Sequence, residues 1–378
     1  MALTNFVTSI VIARNFDEKY FATYLSVAAL LAIISIPMQS IQTAYAIHPD
    51  KQEIRISLPR IHRSGTSVRS IIALLAMIWF CSLPILLKFS GIELNTLLAS
   101  SALFLVLLPS NIVSGKLRNL ERFSSWRVLL AGTALIQIPI AVFTATLNLD
   151  LWLYLLLLCA PSLVYVSLAL FVFDIPTTSN RHSVFVGWSS VCYSLVSSYS
   201  LQLPLIFSVK LIVGASLGSI LIFYFFSIAI SLGSVFGTFF VPSFVRGDFS
   251  PRVFSRVNLI FCMPSIALGL LLMSPLKNLI PVLFGQKYAI SFSGIFAILL
   301  IFSSMVWSMF ASHSQIKLGD ISWKILSSGS AVLFFEWMYL MFFVDSIEEI
   351  VLAHSLTSII QLSILNFGKF SRSTKSTD

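Results

Sequence analysis

The stretch ATYLSVAALLAIISIPMQSIQTAYA, residues 22–46, decides the class of this fold. It contains no charged residue and exceeds the roughly 20 apolar residues with which a helix crosses a bilayer. Pro37 removes a backbone donor, and Gln39 and Gln42 lie three residues apart on one helical face. Such amides at membrane depth need a partner or water. Either they approach the interface or bond a neighbouring helix, or they line a hydrated cavity with Pro37 as a flex point.

The composition extends this interpretation to the whole chain. Of 378 residues, 57% are hydrophobic and 10% charged, whereas soluble proteins contain about 25% charged residues. We therefore predict an all-α polytopic membrane protein, and we interpret the net charge of +9 loop by loop rather than as a nucleic-acid signal. The four cysteines and five histidines show no ligand spacing. We expect no metal and no cofactor.

Hydropathy divides the chain into about twelve spans. Their predicted cores are 1–14, 22–46, 70–88, 95–115, 126–147, 151–173, 184–209, 217–241, 257–282, 290–312, 323–343 and 347–367. The first is short of a full span, so we expect either a truncated first helix or a short, tilted one.

The basic residues alternate between the two sides of this arrangement. After the even-numbered spans lie 18 of the 24 lysines and arginines: Lys51, Arg55, Arg60, Arg63, Arg69, Lys116, Arg118, Arg122, Arg127, Arg181, Arg246, Arg252, Arg256, Lys317, Lys324, Lys369, Arg372 and Lys375. The other side has six: Arg14, Lys19, Lys88, Lys210, Lys277 and Lys287. Because basic loops stay cytoplasmic, we predict that both termini are cytoplasmic.

Twelve spans with both ends inside suit two six-helix parallel repeats, 1–173 and 184–367, followed by a cytoplasmic tail, 368–378. The joint, 174–183, is rich in turn-forming residues. We expect a monomer in contact with membrane lipids.

Several polar residues stand out within or beside the spans. Arg14, Lys88 and Lys210 end spans on the predicted outer side. They either snorkel to the interface or form a cationic site for an anionic headgroup. Gln202 neighbours an intrahelical proline, as Gln39 does. Glu336 is the acid well inside a span, which makes it a candidate for ion coupling.

Two segments resemble the polysaccharide flippases of the multidrug/oligosaccharidyl-lipid/polysaccharide exporter superfamily. In 11–46, Ala13-Arg14 precedes a short loop, Phe21-Ala22-Thr23-Tyr24 and a long helix, as in that family's first hairpin. In 274–300, Pro275 is followed by Leu283-Phe284-Gly285-Gln286-Lys287-Tyr288 and a new helix. We expect Gly285 to permit a tight external turn and Tyr288 to suit the membrane interface.

The resemblance implies a MATE-like fold in a bacterial cytoplasmic (inner) membrane. It implies a flippase, not an enzyme, that moves a polyprenyl-pyrophosphate-linked oligosaccharide to the outer leaflet by alternating access. It also implies polysaccharide polymerases and glycosyltransferases as partners in lipopolysaccharide or other surface polysaccharide assembly. Arg14 is the matching cationic position. Lys88 and Lys210 are further candidate binding residues because of their positive charge. Gln39, Gln42 and Gln202 are candidates because their amides suit a sugar.

The alternatives are an ion-coupled multidrug exporter of the same superfamily and a membrane-embedded glycosyltransferase or polymerase. Cationic drugs favour acidic cavities, whereas this chain has one intramembrane acid and several cations. An embedded enzyme needs catalytic groups on sizeable outer loops, and the predicted outer loops are a few residues each.

Overall fold

The computed structural model describes residues 2–47, 53–58, 61–89, 91–119, 123–173, 183–187, 207–208, 211–212, 215–228, 275, 278–288, 294 and 323–367. This part of the chain is predominantly helical, as predicted. Its helices are α1 (Ala2–Asn15), α2 (Glu18–Ile47), α3 (Val68–Phe89), α4 (Leu94–Asn119), α5 (Phe123–Thr146), α6 (Leu151–Leu157), α7 (Cys159–Phe173), α8 (Leu217–Ile228), α9 (Trp323–Phe343) and α10 (Ile347–Phe367). A further helical segment covers 278–284.

Membrane-type helices are present within the described residues. Three helical stretches are long and apolar enough to cross a bilayer: Leu94–Asn111, Val128–Thr146 and Leu151–Phe171. Large apolar side chains also cover the outside, with Phe171 exposed by 88% and Phe335 by 70%. Such a surface fits lipid rather than water. The count of twelve spans, the parallel repeats and the MATE-like arrangement remain predictions.

The predicted span 151–173 is present as the apolar stretch Leu151–Phe171, in which α6 ends at Leu157 and α7 begins at Cys159, two residues before Pro161. One detail of another predicted span was wrong. The span 184–209 does not begin as a helix, because strand β3 (Ser183–Gly187) occupies its first residues. The valines and phenylalanine of SVFVG favour a strand, and its glycine disfavours a helix interior.

A small sheet lies beyond the end of α2. Strands β1 (Glu53–Leu58) and β2 (Ile61–Ser67) form an antiparallel pair, and β3 adds to β1 in parallel, in the order β2-β1-β3. The described residues are thus predominantly helical, with one three-stranded sheet that was not predicted. Both loops that supply these strands were predicted to lie on the same side of the membrane.

The described N-terminal helices form a bundle around α4, which packs on α2, α3, α5, α6 and α7. Hydroxyl groups link these helices at buried points. Trp79 of α3 donates its Nε1–H to Ser101 Oγ of α4 at 2.8 Å, and Ser114 of α4 bonds the Tyr165 hydroxyl of α7 at 2.6 Å. Interhelical bonds of this kind are typical of packing between membrane helices.

Three short turns meet at the opposite end from the sheet, which we call the turn end: residues 15–17, 147–150 and 285–288. The Tyr20 hydroxyl donates to the Leu149 carbonyl, and Lys287 Nζ donates to the Phe16 carbonyl. The 30-residue α2 separates the turn end from the sheet by about 45 Å. All three turns were predicted to lie on one side of the membrane. Which side that is remains a prediction.

Candidate functional site

The turn end joins distant parts of the chain through aromatic rings. Phe21 of α2 meets Tyr288 edge-on at 6.1 Å, and Phe284 meets Tyr224 of α8 at 5.6 Å. Phe6 of α1 stacks on Tyr224 at 6.4 Å. Phe21, Phe284 and Tyr288 are completely buried. Edge-to-face contacts between buried rings add to the stability gained from burial alone, so these rings hold the first two helices against the second predicted repeat.

Tyr288 packs inside the protein at the turn end. It lies buried against α1 and α2, with its hydroxyl 3.5 Å from the Ala13 carbonyl, and its position at the depth of the membrane interface stays a prediction. Burial, with a smaller contribution from the charge of Glu18, raises the pKa of Tyr288 to about 12. Gly285 behaves as expected, since its φ of 106° is one that side chains other than glycine rarely adopt.

Arg14 lies at the same place but remains exposed. Its Nη2 donates to the Val282 carbonyl at 3.1 Å, which ties the end of α1 to segment 278–288. That bond uses one of the five N–H donors of a guanidinium. The exposed group can therefore present its remaining donors to an anionic ligand.

The other predicted binding residues are not brought to Arg14 by the described structure. Lys88 is exposed in the last turn of α3. Gln39 and Gln42 lie in α2, which continues through Pro37, but their side chains lie outside the described residues. Gln202 and Lys210 also lie outside them. The roles of all these residues in binding remain predictions.

Glu336 has a partner that the sequence interpretation missed. It is buried in α9 with 4% exposure, and its Oε1 lies 2.6 Å from Nδ1 of His354, which is 2% exposed in α10. His354 was treated as one of five scattered histidines. The contact places an acid and a base together in the interior, which is how proton-handling sites are built.

The helical hairpin explains why these two residues meet. Glu336 lies seven residues before the end of α9 at Phe343, and His354 lies seven residues after the start of α10 at Ile347. Two antiparallel helices joined by a three-residue connection place such residues at equal depth, about 10 Å from the connection. The equal spacing of Glu336 and His354 from the connection is the sequence feature that could have identified His354 as the partner of Glu336.

Helical periodicity directs both side chains inward. In α10 the buried residues Ile347, Ile350, Val351, His354 and Ser355 follow the three- and four-residue spacing of one face. In α9, Glu336 and Leu340 are buried, whereas Phe334, Phe335 and Phe342 are exposed.

Comparisons with known proteins do not assign the chain. It matches no family model, no curated protein and no solved structure.

Proposed function

We propose that this protein is a transporter that moves a polyprenyl-pyrophosphate-linked oligosaccharide from the inner to the outer leaflet by alternating access. One observation carries the proposal: the two segments that resemble polysaccharide flippases, 11–46 and 274–300, meet at the turn end. Arg14 contacts Val282, Phe16 contacts Lys287, and Phe21 contacts Tyr288. In an alternating-access transporter, contacts between two repeats at one end close that end and separate when the substrate leaves.

The chemistry of the turn end suits a pyrophosphate. Arg14 offers a planar, permanently charged fork for phosphate oxygens, and charge pairs strengthen where water is partly excluded. The apolar outer surface leaves the lipid tail free to stay in the bilayer. The sugar would meet the amide and hydroxyl groups predicted to line the path, including Gln39 and Gln42.

The test is leaflet transfer of a fluorescent polyprenyl-diphosphate-linked oligosaccharide in proteoliposomes, with outer-leaflet label detected by an impermeant quencher. Arg14→Ala should reduce the transfer rate strongly, and Arg14→Lys should retain part of it. Lys19→Ala, which removes a nearby exposed cation, is the matched control and should transfer normally. Normal transfer by Arg14→Ala at equal protein abundance would make Arg14 an interfacial anchor and move the search to Lys88 and Lys210.

Closure of the turn end can be tested in the same assay. The Lys287 ammonium reaches the Phe16 carbonyl at 3.0 Å. A thiol cross-linker about as long as a lysine side chain should therefore bridge cysteines at positions 16 and 287. Cross-linking should stop transfer, and cleavage of the linker should restore it. Undiminished transfer by the cross-linked protein would contradict alternating access at this end.

The predicted orientation has its own test. Cysteines replace Ser64 in β2 and Gln286 in the turn end, and intact cells receive an impermeant thiol reagent. Gln286→Cys should be labelled from outside, and Ser64→Cys only after permeabilisation. Efficient outside labelling at position 64 would reverse the proposed topology.

The buried acid favours one alternative, an ion-coupled multidrug exporter. Proteoliposomes that expel a fluorescent cationic dye in an ion gradient, and do not transfer the lipid-linked oligosaccharide, would support that function instead.

A further inference from the structure

The Glu336–His354 pair leaves two polar atoms unsatisfied. Oε2 of Glu336 and Nε2 of His354 are buried and have no hydrogen-bond partner among the residues that the structure describes. A buried group without a partner loses its hydration without compensation, and such atoms are rare in folded proteins. This pair therefore needs an explanation beyond packing.

Counting protons supplies one. A 2.6 Å contact between an imidazole nitrogen and a carboxylate oxygen requires one proton between them. With that proton on Nδ1 alone, the imidazole is neutral, the carboxylate is negative, and the pair has one net negative charge. A second proton on Nε2 gives an imidazolium–carboxylate pair with no net charge. Burial favours the form with no net charge.

We propose that His354 binds one exchangeable proton at Nε2 and that this proton holds the α9–α10 hairpin closed against α8. Loss of the proton leaves an uncompensated negative charge in the interior, which draws in water. Separation of the hairpin from α8 provides that water. The pair is then a proton-binding site, and the presence or absence of the proton determines whether the hairpin contacts α8.

The contact with α8 is suited to this role. Phe226 of α8 meets the His354 ring edge-on at 5.9 Å and 85° and so covers it. Nearer the connection, Ser219 of α8 donates to Glu348 of α10 at 2.9 Å. The hairpin thus meets α8 at one apolar point over His354 and one polar point close to the surface.

Among the described residues around the pair, few other titratable groups compete for the proton. Segment 217–228 contains no charged residue, and its one titratable side chain, Tyr224, donates to the Phe6 carbonyl. On the hairpin itself, Tyr339 is exposed, Glu348 bonds Ser219, and Glu349 accepts the Asp345 backbone N–H. Lys324 lies twelve residues before Glu336, about 18 Å along α9. Among the described residues, no third histidine, cysteine or acid joins the pair to form a metal site.

The proton can be observed directly by nitrogen-15 NMR of the histidine-labelled full chain in lipid nanodiscs. The His354 resonance is identified by its absence in His354→Gln. As the sample is acidified, His354 Nε2 should change from an unprotonated to a protonated shift. In Glu336→Gln, which removes the compensating charge, that change should disappear. An Nε2 that stays unprotonated in the wild type, or one that titrates identically in Glu336→Gln, would overturn the proposal.

The helix contact is tested by spin-label distances between Ser216, the residue before α8, and Asp345, both exposed, in a background with the four cysteines replaced. The distance should lengthen from about pH 5 to pH 8 and stay short at both in Glu336→Gln. Glu93→Gln, an exposed acid, should respond like the wild type. An unchanged distance while Nε2 titrates would refute closure by the proton. Neither measurement uses a transport substrate. Failure of the proposed transport would therefore not change the outcome of this test.

Discussion

The turn end and the α9–α10 hairpin are both closed by buried contacts, but by different chemistry. At the turn end, rings such as Phe21, Phe284 and Tyr288 pack without charge, and side chains bond backbone carbonyls. In the hairpin, an acid meets a base. Burial raises the pKa of Tyr288 to about 12, so its phenol is neutral at physiological pH and the aromatic contact does not respond to it. In our proposal the exchangeable proton belongs to the Glu336–His354 pair, so that pH acts on the hairpin alone.

The largest effect should come from breaking the ionic contact on one side only. His354→Ala leaves Glu336 buried without its partner, which costs about 3–5 kcal/mol in the free energy of unfolding. Replacing both residues by leucine should bring stability back to within about 1 kcal/mol of the wild type, because no charge is then buried. Reversible unfolding in mixed micelles measures both. Equal losses of unfolding free energy in the single and double variants would mean that the pair stabilises the protein through its shape rather than its charge.

The aromatic contact should be nearly as sensitive to truncation. Phe284→Ala removes a completely buried ring and should cost about 3 kcal/mol through lost packing. Phe335→Ala, which truncates a ring with 70% exposure, is the control and should cost less than about 0.5 kcal/mol. The same unfolding assay compares them. A Phe284→Ala variant as stable as Phe335→Ala would show that the rings do not hold the turn end together.

A backbone change should affect the turn end by a smaller amount. Gly285→Ala places a side chain at φ 106° and should cost about 1–2 kcal/mol from strain, although nothing lies within 4 Å of the added methyl group. Gly132→Ala also meets open space but lies inside α5, so it should be neutral or stabilise by up to about 1 kcal/mol. The unfolding temperature should therefore fall in Gly285→Ala and stay the same or rise in Gly132→Ala. Equal shifts would argue against strain at Gly285.

The smallest expected effects are at the helix caps, where the two regions are alike. Asp17 Oδ1 accepts the Tyr20 N–H at the start of α2, and Ser346 Oγ accepts the Glu349 N–H at the start of α10. Asp17→Ala and Ser346→Ala should each cost about 1 kcal/mol. A much larger loss from Ser346→Ala would indicate that this cap also positions the Glu336–His354 pair, which His354 NMR shifts in that variant would reveal.

Some of this architecture followed directly from local sequence. Long apolar runs with at most one charged residue predicted α2, α4 and α5 to within a few residues, because a helix that spans lipid satisfies its own backbone. Gly285 lies between two apolar runs. This position predicted a tight turn, since glycine alone tolerates the required φ. The predicted identity of the cargo also came from sequence, through resemblance, and it awaits the transfer assay.

Contacts between distant segments were decided only by tertiary structure. Hydropathy gives the depth of a residue in the membrane but not its neighbour, so Glu336 was recognised as an intramembrane acid while His354, on the next helix, was not. The preference of aromatic residues for the interface predicted the depth of Tyr288 but not its packing against Phe21. The parallel pairing of β1 with β3 likewise depends on a neighbour far away in sequence. A local pattern records what a residue prefers; which partner satisfies that preference is settled when the helices pack.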